Sequence, residues 1–247
     1  MAAKYQKFTH LQHIIARPDT YIGSLNLDIS NQWVLNGSKE TLEEKQVTHI
    51  AGLYKIYDEI LVNAIDQCVV DRLTDKISID VDEEFGSITV TNTGSGVPVE
   101  KHDSDIMIPE MIFGELLTSS NYNDNEDRIT GGRNGYGAKL TNVFSKKFVI
   151  ETACVKNKLK YTQEWTDNMT KKSKAKVTKY NKEKGYTSIK FYPDLEKFKM
   201  STLRDNDIVK LFEKRAYDAC ACTPDRVKIF YNKKQLCYKS FEKYIDL

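Results

Sequence analysis

Four glycines and a lysine lie within the ten residues from Thr130 to Lys139, and an apolar pattern of helical spacing follows at once. Glycine tolerates positive φ and lets a backbone approach a ligand closely. Successive N–H groups in such a turn form a concave anion site, to which the next helix adds its positive N-terminal end. The run therefore predicts a polyphosphate cradle to which Lys139 adds a full charge, with a ligand-free surface turn as the alternative.

The spacing of these glycines does not fit the usual nucleotide loops. A Walker loop needs Gly, four residues and then Gly-Lys-Ser/Thr, and that string is absent. A Rossmann fingerprint follows the first strand of its domain, whereas Gly132, Gly135 and Gly137 lie deep in the chain after a long polar stretch. Other motifs must therefore decide what the loop binds.

The segment from Gly52 to Val70 is predicted to be an amphipathic helix, because its apolar residues recur at helical spacing. On the neighbouring face, Glu59 and Asn63 are four residues apart and thus one turn from each other. A carboxylate can polarise a water for attack on a phosphate, and an amide oxygen can bind Mg²⁺. A solvated helix face is the alternative interpretation of such a pair.

A third motif begins where a predicted strand ends. Residues 87–91 alternate and are rich in β-branched residues, which is typical of a strand. Asn92, Gly94 and Gly96 follow. The glycines would let a base lie against the backbone, and the Asn92 amide offers both a donor and an acceptor to the edge of adenine. An ordinary β-turn is the alternative.

Taken in order, these three motifs resemble those of the GHKL ATPases, the superfamily of gyrases, ninety-kilodalton heat-shock chaperones, mismatch-repair ATPases and histidine kinases. Longer strings are similar to the N-terminal ATPase domain of eukaryotic-type DNA topoisomerase II, and this resemblance runs from about Tyr5 to the last residue. These strings are IIARPDTYIGS (Ile14–Ser24), GLYKIYDEILVNA (Gly52–Ala64), IFGELLTSSNYND (Ile112–Asp124) and TGGRNGYGAKLTNVFS (Thr130–Ser145).

The resemblance implies a role for each matched residue. Glu59 matches the general base that activates the attacking water, Asn63 the ligand that joins Mg²⁺ to the phosphates, and Asn92 the residue that reads adenine. Tyr5 lies in an arm that in this family reaches the partner's site. The other implied nucleotide contacts are Ser119, Ser120, Asn121, Gly132, Arg133, Asn134, Gly135, Tyr136, Gly137, Ala138 and Lys139.

ATP and Mg²⁺ are accordingly the expected ligands. In the full enzyme the resemblance implies a homodimer that ATP closes through the N-terminal arm and that carries one DNA duplex through another. The chain has neither the QTK string of the family's transducer domain nor the DNA-cleaving tyrosine domain, so weak or no turnover is expected of this piece alone. A histidine kinase, chaperone or mismatch-repair ATPase with the same pocket is the alternative.

Two residues depart from the family pattern. Gln67 stands where close eukaryotic relatives carry Asn, and it moves the amide one carbon outward. Thr93 replaces an Asn or Asp in the turn after the predicted strand. Both departures affect fine nucleotide contacts, because the base, the metal ligand and the phosphate loop are all retained.

The charge balance of the chain is nearly even, with a net charge of +2. A domain that binds DNA mainly through phosphate contacts is usually more basic, so we expect DNA to be a partner of the whole enzyme. A lysine-rich run at residues 171–176 could contact DNA, but the pattern favours a solvated strand edge, since lysines protect edges from aggregation.

Five scattered cysteines, an odd number, and the lack of a signal peptide predict a reducing compartment, either nuclear or cytoplasmic. The Cys220-Ala221-Cys222 string is predicted to end a helix as small buried thiols, and no zinc spacing is present. No apolar run approaches the length of a membrane span, so no membrane contact is expected.

We predict an α+β fold, a two-layer sandwich whose mostly antiparallel sheet carries its helices on one face. Residues 1–28 would form an arm and a first helix, and residues 29–247 the ATP-binding domain. Further predicted elements are the helix at 51–72, strands near 77–83, 87–92, 147–155, 158–166, 174–180 and 186–192, helices within 103–130 and after Gly137, a helix from Ser201 to about Ala221, and a hairpin at 226–237 that turns at residues 232–234.

Overall fold

The computed structural model describes residues 7–37, 41–116, 135–204, 206–238 and 240–247. Its strands are β1 (Asp28–Asn36), β2 (Thr41–His49), β3 (Lys76–Asp82), β4 (Ser87–Gly94), β5 (Ser145–Cys154), β6 (Leu159–Thr166), β7 (Lys171–Lys172), β8 (Lys176–Lys179), β9 (Gly185–Pro193), β10 (Lys228–Tyr231) and β11 (Lys234–Leu236). Its helices are α1 (His10–Ala16), α2 (Asp19–Ile22), α3 (Ala51–Val70), α4 (Ile108–Gly114), α5 (Gly137–Val143), α6 (Asp207–Cys222) and α7 (Phe241–Ile245).

Nine of the described strands form one sheet, in the order β11-β10-β3-β4-β9-β5-β6-β7, with β8 also paired to β6. Neighbouring strands run antiparallel except β10 and β3, which are parallel. Burial alternates along β3, β4 and β6, because helices cover only one face of the sheet. The predicted two-layer α+β sandwich is confirmed.

Helix α3 occupies the centre of the helical layer. Its apolar stripe is fully buried, as its spacing predicts, and it begins at the expected residue and ends two residues earlier than expected. Helix α5 packs beside it and begins at Gly137, where the sequence places the start of a helix. These two helices carry the polar residues singled out above.

A hairpin that the sequence analysis did not predict precedes α3. Strands β1 and β2 form a separate two-stranded sheet, which packs on α6 through Val34, Val47 and Leu211. Its other face leaves Ile29 and Trp33 more than half exposed. The sequence of these two strands does not alternate strictly, and nothing in it shows that α6, rather than the main sheet, covers this hairpin.

Two predicted boundaries are wrong. Helix α6 begins at Asp207 rather than after Ser201, because Asn206 caps it by accepting a hydrogen bond from the Ile208 backbone N–H at 3.1 Å. The final hairpin turns at two residues, Asn232 and Lys233, both with positive φ, so that the next residue already belongs to β11.

The prediction of buried thiols at the end of α6 is correct for Cys220 and wrong for Cys222, which is exposed because it lies on the outer side of the last turn. No group of three His, Cys, Asp or Glu side chains suited to a metal ion occurs in the described ranges. No helix in the described part of the chain combines the length and apolar character needed to cross a membrane.

Candidate nucleotide site

Glu59 and Asn63 lie on the same face of α3, one turn apart, and both side chains are partly exposed. The Glu59 carboxylate forms an ion pair with Lys55, one turn earlier, at 2.5 Å between Nζ and Oε1. The lysine holds the carboxylate in one orientation. Because such an ion pair is partly solvated, it leaves the carboxylate free to exchange this contact for another.

Gly137, the first residue of α5, lies directly against Glu59. A Cβ atom built on this glycine would be 1.9 Å from Glu59 Oε2, far inside any van der Waals contact. The absence of a side chain is what lets the carboxylate stand beside the start of the helix. The two sequence motifs, 78 residues apart, therefore meet at a single point.

Buried hydrogen bonds hold α5 against α3. The Thr141 hydroxyl donates to the Ile56 carbonyl oxygen at 2.8 Å, and Thr141 is fully buried. The buried Asn142 amide donates to the Phe113 carbonyl oxygen of α4 at 3.0 Å. Because these donors are buried, breaking either bond would leave a polar group of α5 without a partner and away from water, which is costly. These hydrogen bonds between helices thus fix the position of α5 relative to Glu59.

The opposite side of α3 is fixed by α6. Arg215 Nε lies 2.7 Å from Asp58 Oδ1 in a half-buried ion pair, and the Tyr57 hydroxyl donates to the Phe212 carbonyl oxygen at 2.9 Å. Burial and the nearby Asp58 carboxylate raise the pKa of Tyr54 to about 12. Asp58 therefore has a structural partner, whereas its neighbour Glu59 faces the start of α5.

Lys139 lies on the first turn of α5 with only 1% of its surface exposed. Burial lowers the pKa of its ammonium group to about 8, an effect that the Glu115 carboxylate partly opposes. Removing a charge from water is costly, so an anionic ligand near this side chain would favour its charged form and raise its pKa. A lysine in this state suits the phosphate role that the sequence predicts.

Asn92 is nearly buried near the end of β4, on the face of the sheet that the helices cover. Its side-chain amide donates to the Thr93 carbonyl oxygen at 3.1 Å. Thr93 points to the opposite face, since successive residues of a strand alternate. Its hydroxyl donates to Asp75 Oδ1 at 2.7 Å and accepts from two backbone N–H groups at the start of β3. The Thr93 departure therefore lies away from Asn92.

The turn after β4 depends on its two glycines. Gly94 and Gly96 have φ of 145° and 75°. A Cβ on Gly94 would lie 2.6 Å from Asp71 Oδ2, which accepts a hydrogen bond from the Ser95 N–H at 2.6 Å, and a Cβ on Gly96 would lie 2.1 Å from the Ala153 carbonyl oxygen. Sequence reasoning missed Asp71, because the predicted helix at 51–72 included it, whereas α3 ends at Val70.

The end of the glycine-rich run contacts the first helix. Gly135 has a φ of 64°, as a tight turn requires, and the next residue, Tyr136, packs edge-on against His10 of α1 at 5.7 Å between ring centroids. The buried His10 Nδ1 has no hydrogen-bond partner among the described residues. This contact joins the N-terminal segment to the loop, and no motif in the sequence indicated it.

The structure thus brings Glu59, Asn63 and the described part of the glycine-rich run together along α3 and α5, and Asn92 lies on the adjoining strand β4. Seven predicted site residues lie outside the described residues, namely Tyr5, Ser119, Ser120, Asn121, Gly132, Arg133 and Asn134. Their roles stay predictions.

Known proteins are similar to this chain in sequence and in fold. Residues 48–197 match the family model described as histidine kinase-, DNA gyrase B- and HSP90-like ATPase. DNA topoisomerase 2 of Arabidopsis thaliana is 50% identical over 98% of the chain and 16% of its own length, and that of Saccharomyces cerevisiae is 46% identical over 99% and 17%. The chain therefore spans about a sixth of the length of these relatives.

The fold comparison agrees. The crystal structure of the ATPase region of Saccharomyces cerevisiae topoisomerase II superimposes with a TM-score of 0.97 at 45% identity, over 100% of this chain and 65% of that one. The resemblance drawn from the three motifs is confirmed. The chain belongs to the histidine kinase-, DNA gyrase B- and HSP90-like ATPase family, within which it resembles the ATPase region of eukaryotic DNA topoisomerase 2.

Proposed function

We propose that this chain binds and hydrolyses ATP as the gate domain of a type II DNA topoisomerase. The observation that carries the proposal is the meeting of Glu59 with Gly137, because it sets a carboxylate of α3 at the start of the helix that follows the glycine-rich run. Binding of ATP would close a dimer gate, and hydrolysis would reset it, as one DNA duplex passes through another.

Each described residue has a defined task in this proposal. Glu59 accepts a proton from the attacking water, while Lys55 orients its carboxylate before nucleotide arrives. The Lys139 ammonium group contacts the phosphates, and Asn92 contacts the edge of adenine. Ser119 to Asn121 and Gly132 to Asn134, which lie outside the described residues, would complete the contacts to the nucleotide.

The donor set suits Mg²⁺. The Asn63 side chain is partly exposed one turn beyond Glu59, and its amide oxygen is a hard ligand of the kind that Mg²⁺ takes together with phosphate oxygens. When bound there, the ion would neutralise charge on the phosphates. Because an amide cannot accept the proton of the water, metal binding and proton transfer fall to different side chains.

The assembly is also part of the proposal. Residues 1–28 would form the arm that carries Tyr5 to the partner subunit, and residues 29–247 the ATP-binding domain of a nuclear enzyme. The contact between His10 and Tyr136 supports a link between the arm and the phosphate loop. A kinase, chaperone or mismatch-repair ATPase is less well supported, since the similarity to DNA topoisomerase 2 covers almost the whole chain.

Calorimetric titration with Mg²⁺ and a non-hydrolysable ATP analogue tests the site. We expect Asn63→Ala to abolish binding, and Glu59→Gln to retain binding while abolishing single-turnover hydrolysis of labelled ATP. Asp58→Asn is the matched control, because this neighbouring carboxylate faces Arg215, so it should hydrolyse ATP normally. Persistent hydrolysis by Glu59→Gln, or transfer of label to protein, would refute the assignment.

A further inference from the structure

Lysines are concentrated in one part of the chain. Residues 156–184 contain ten lysines and only three carboxylates, an excess of seven positive charges in a chain whose net charge is +2. The remainder of the chain therefore carries an excess of negative charge. This asymmetry does not show in the overall composition, and it gives the molecule one basic region on an otherwise acidic domain.

The fold gathers this segment at one edge of the main sheet. Strand β8 pairs with β6 through Lys176 opposite Thr162 and Lys179 opposite Leu159. The Tyr180 N–H donates to the carbonyl oxygen of Lys158, in the turn between β5 and β6, at 2.8 Å. That turn, the strand β8 and the loop that follows it consequently meet at one corner of the sheet.

Only some of these lysines are neutralised by neighbours. Four of them form ion pairs: Lys160 with Glu151, Lys171 with Asp167, Lys172 with Glu110, and Lys184 with Asp75. The other six are exposed, and no described carboxylate lies within 4.0 Å of their ammonium groups. We call these six the lysine edge: Lys156, Lys158, Lys174, Lys176, Lys179 and Lys182.

Protection of a strand edge explains only part of this set. It accounts for Lys176 and Lys179, which lie on the exposed strand β8. It does not account for Lys156 and Lys158 in the β5–β6 turn or for Lys182 in the loop after β8, where there is no ladder to protect. A collection of unpaired charges on three adjoining segments creates a positive surface that attracts a polyanion.

The surface around the lysine edge favours a phosphate backbone over a folded protein. Among the described residues 155–184, Val177 is the one large apolar side chain that is prominently exposed, so no apolar anchor is available. Lysines without an arginine among them are typical of phosphate contacts, which carry no base sequence information.

We propose that the lysine edge binds the phosphate backbone of duplex DNA, without sequence preference. The choice of DNA among possible polyanions rests on the proposed function. The positive surface itself does not, because its lysines lie away from the proposed nucleotide site. It gives the domain a DNA contact of its own at the sheet edge, on different elements from the α3–α5 pair that carries Glu59.

Fluorescence anisotropy with a short labelled duplex tests this between about 50 and 200 mM salt, where each lysine–phosphate contact adds about one to the slope of log affinity against log salt. Two triple variants each remove three charges, Lys174→Gln/Lys176→Gln/Lys179→Gln on the strand side and Lys156→Gln/Lys158→Gln/Lys182→Gln on the turns. We expect each to lower the slope by about three. The matched control, Lys228→Gln/Lys233→Gln/Lys243→Gln, removes three exposed lysines, two at the far edge of the sheet and one on α7, and should keep the slope of the wild type.

Several outcomes would overturn the proposal: no binding by the wild type at the lowest salt, equal slopes for all three variants, or displacement of the duplex by polyglutamate as readily as by unlabelled DNA. The last result would assign the surface to an acidic protein. Thermal melting and analogue titration verify that each variant folds. If the wild-type chain binds the duplex but does not bind the ATP analogue, the proposed ATP function is wrong, and the proposed DNA contact is unaffected.

Discussion

The start of α5 and the lysine edge work by different physical effects, since the first depends on close packing and the second on exposed charge. At Gly137 and Glu59 the atoms are in contact, the surrounding hydrogen bonds are buried, and one added methyl group cannot be accommodated. At the lysine edge every ammonium group is exposed and no single contact defines its position. A site built on close packing should therefore be sensitive to single atoms and insensitive to salt, and a site built on exposed charge should behave in the reverse way.

The largest expected effect comes from Gly137→Ala. The new Cβ would meet Glu59 Oε2 at 1.9 Å, so the carboxylate or the helix must move. A displacement of about 1 Å in a catalytic group can cost about a hundredfold in rate. Single-turnover hydrolysis measures the loss. Gly37→Ala is the matched control, since a Cβ there meets nothing within 4 Å. Equal rates for both variants would show that this contact does not matter.

Thr141→Val should have the next largest effect. It keeps the shape of the side chain but removes the buried hydroxyl that donates to the Ile56 carbonyl oxygen, an oxygen that also accepts the N–H one turn later in α3. We expect the free energy of unfolding to fall by about 0.5–1.5 kcal/mol, the net contribution of one hydrogen bond. Urea denaturation measures this, with Thr178→Val on the exposed strand β8 as the control that should change little. If the two variants have equal stability, packing alone holds α5 in place.

A smaller effect should appear in the pH dependence of Lys139. Its pKa is near 8 in the folded chain, so the folded state releases this proton well before the unfolded state, and its contribution to stability rises with pH above 8. Bound phosphates would raise the pKa again, so nucleotide binding near pH 8 should take up a proton and weaken as the pH rises. Titrations in two buffers of different ionisation enthalpy measure the uptake. It should vanish in Lys139→Met, and uptake that persists there would place the proton on another group.

The local elements were largely predictable. The helical spacing from Gly52 to Val70 predicted α3 to within two residues, and the alternating β-branched residues 87–91 predicted β4. The pairing of Glu59 with Asn63 followed from the pitch of a helix. Each of these rests on residues near one another in the chain, where periodicity and backbone freedom act directly.

The face of the sheet on which a strand residue lies can be predicted from the alternation of side chains, but the sequence analysis did not apply this rule to Asn92 and Thr93. Thr93 follows Asn92 on a strand, so their side chains must point to opposite faces, and the Thr93 hydroxyl indeed anchors the start of β3. The β1–β2 hairpin lacks a strict alternation, and its burial against α6 depends on a helix more than 150 residues away. Nothing local to the hairpin indicates that partner.

By itself, the sequence determined which residue types were available and how they repeat: a glycine-rich loop, a carboxylate and an amide one turn apart, and a surplus of lysine in one segment. Only the tertiary structure decided that Gly137 touches Glu59, that Thr141 bonds to Ile56, and that six of the lysines lack a described carboxylate partner. The physical reason is that periodicity is a property of neighbours along the chain, whereas contact and charge neutralisation depend on residues that only folding brings together.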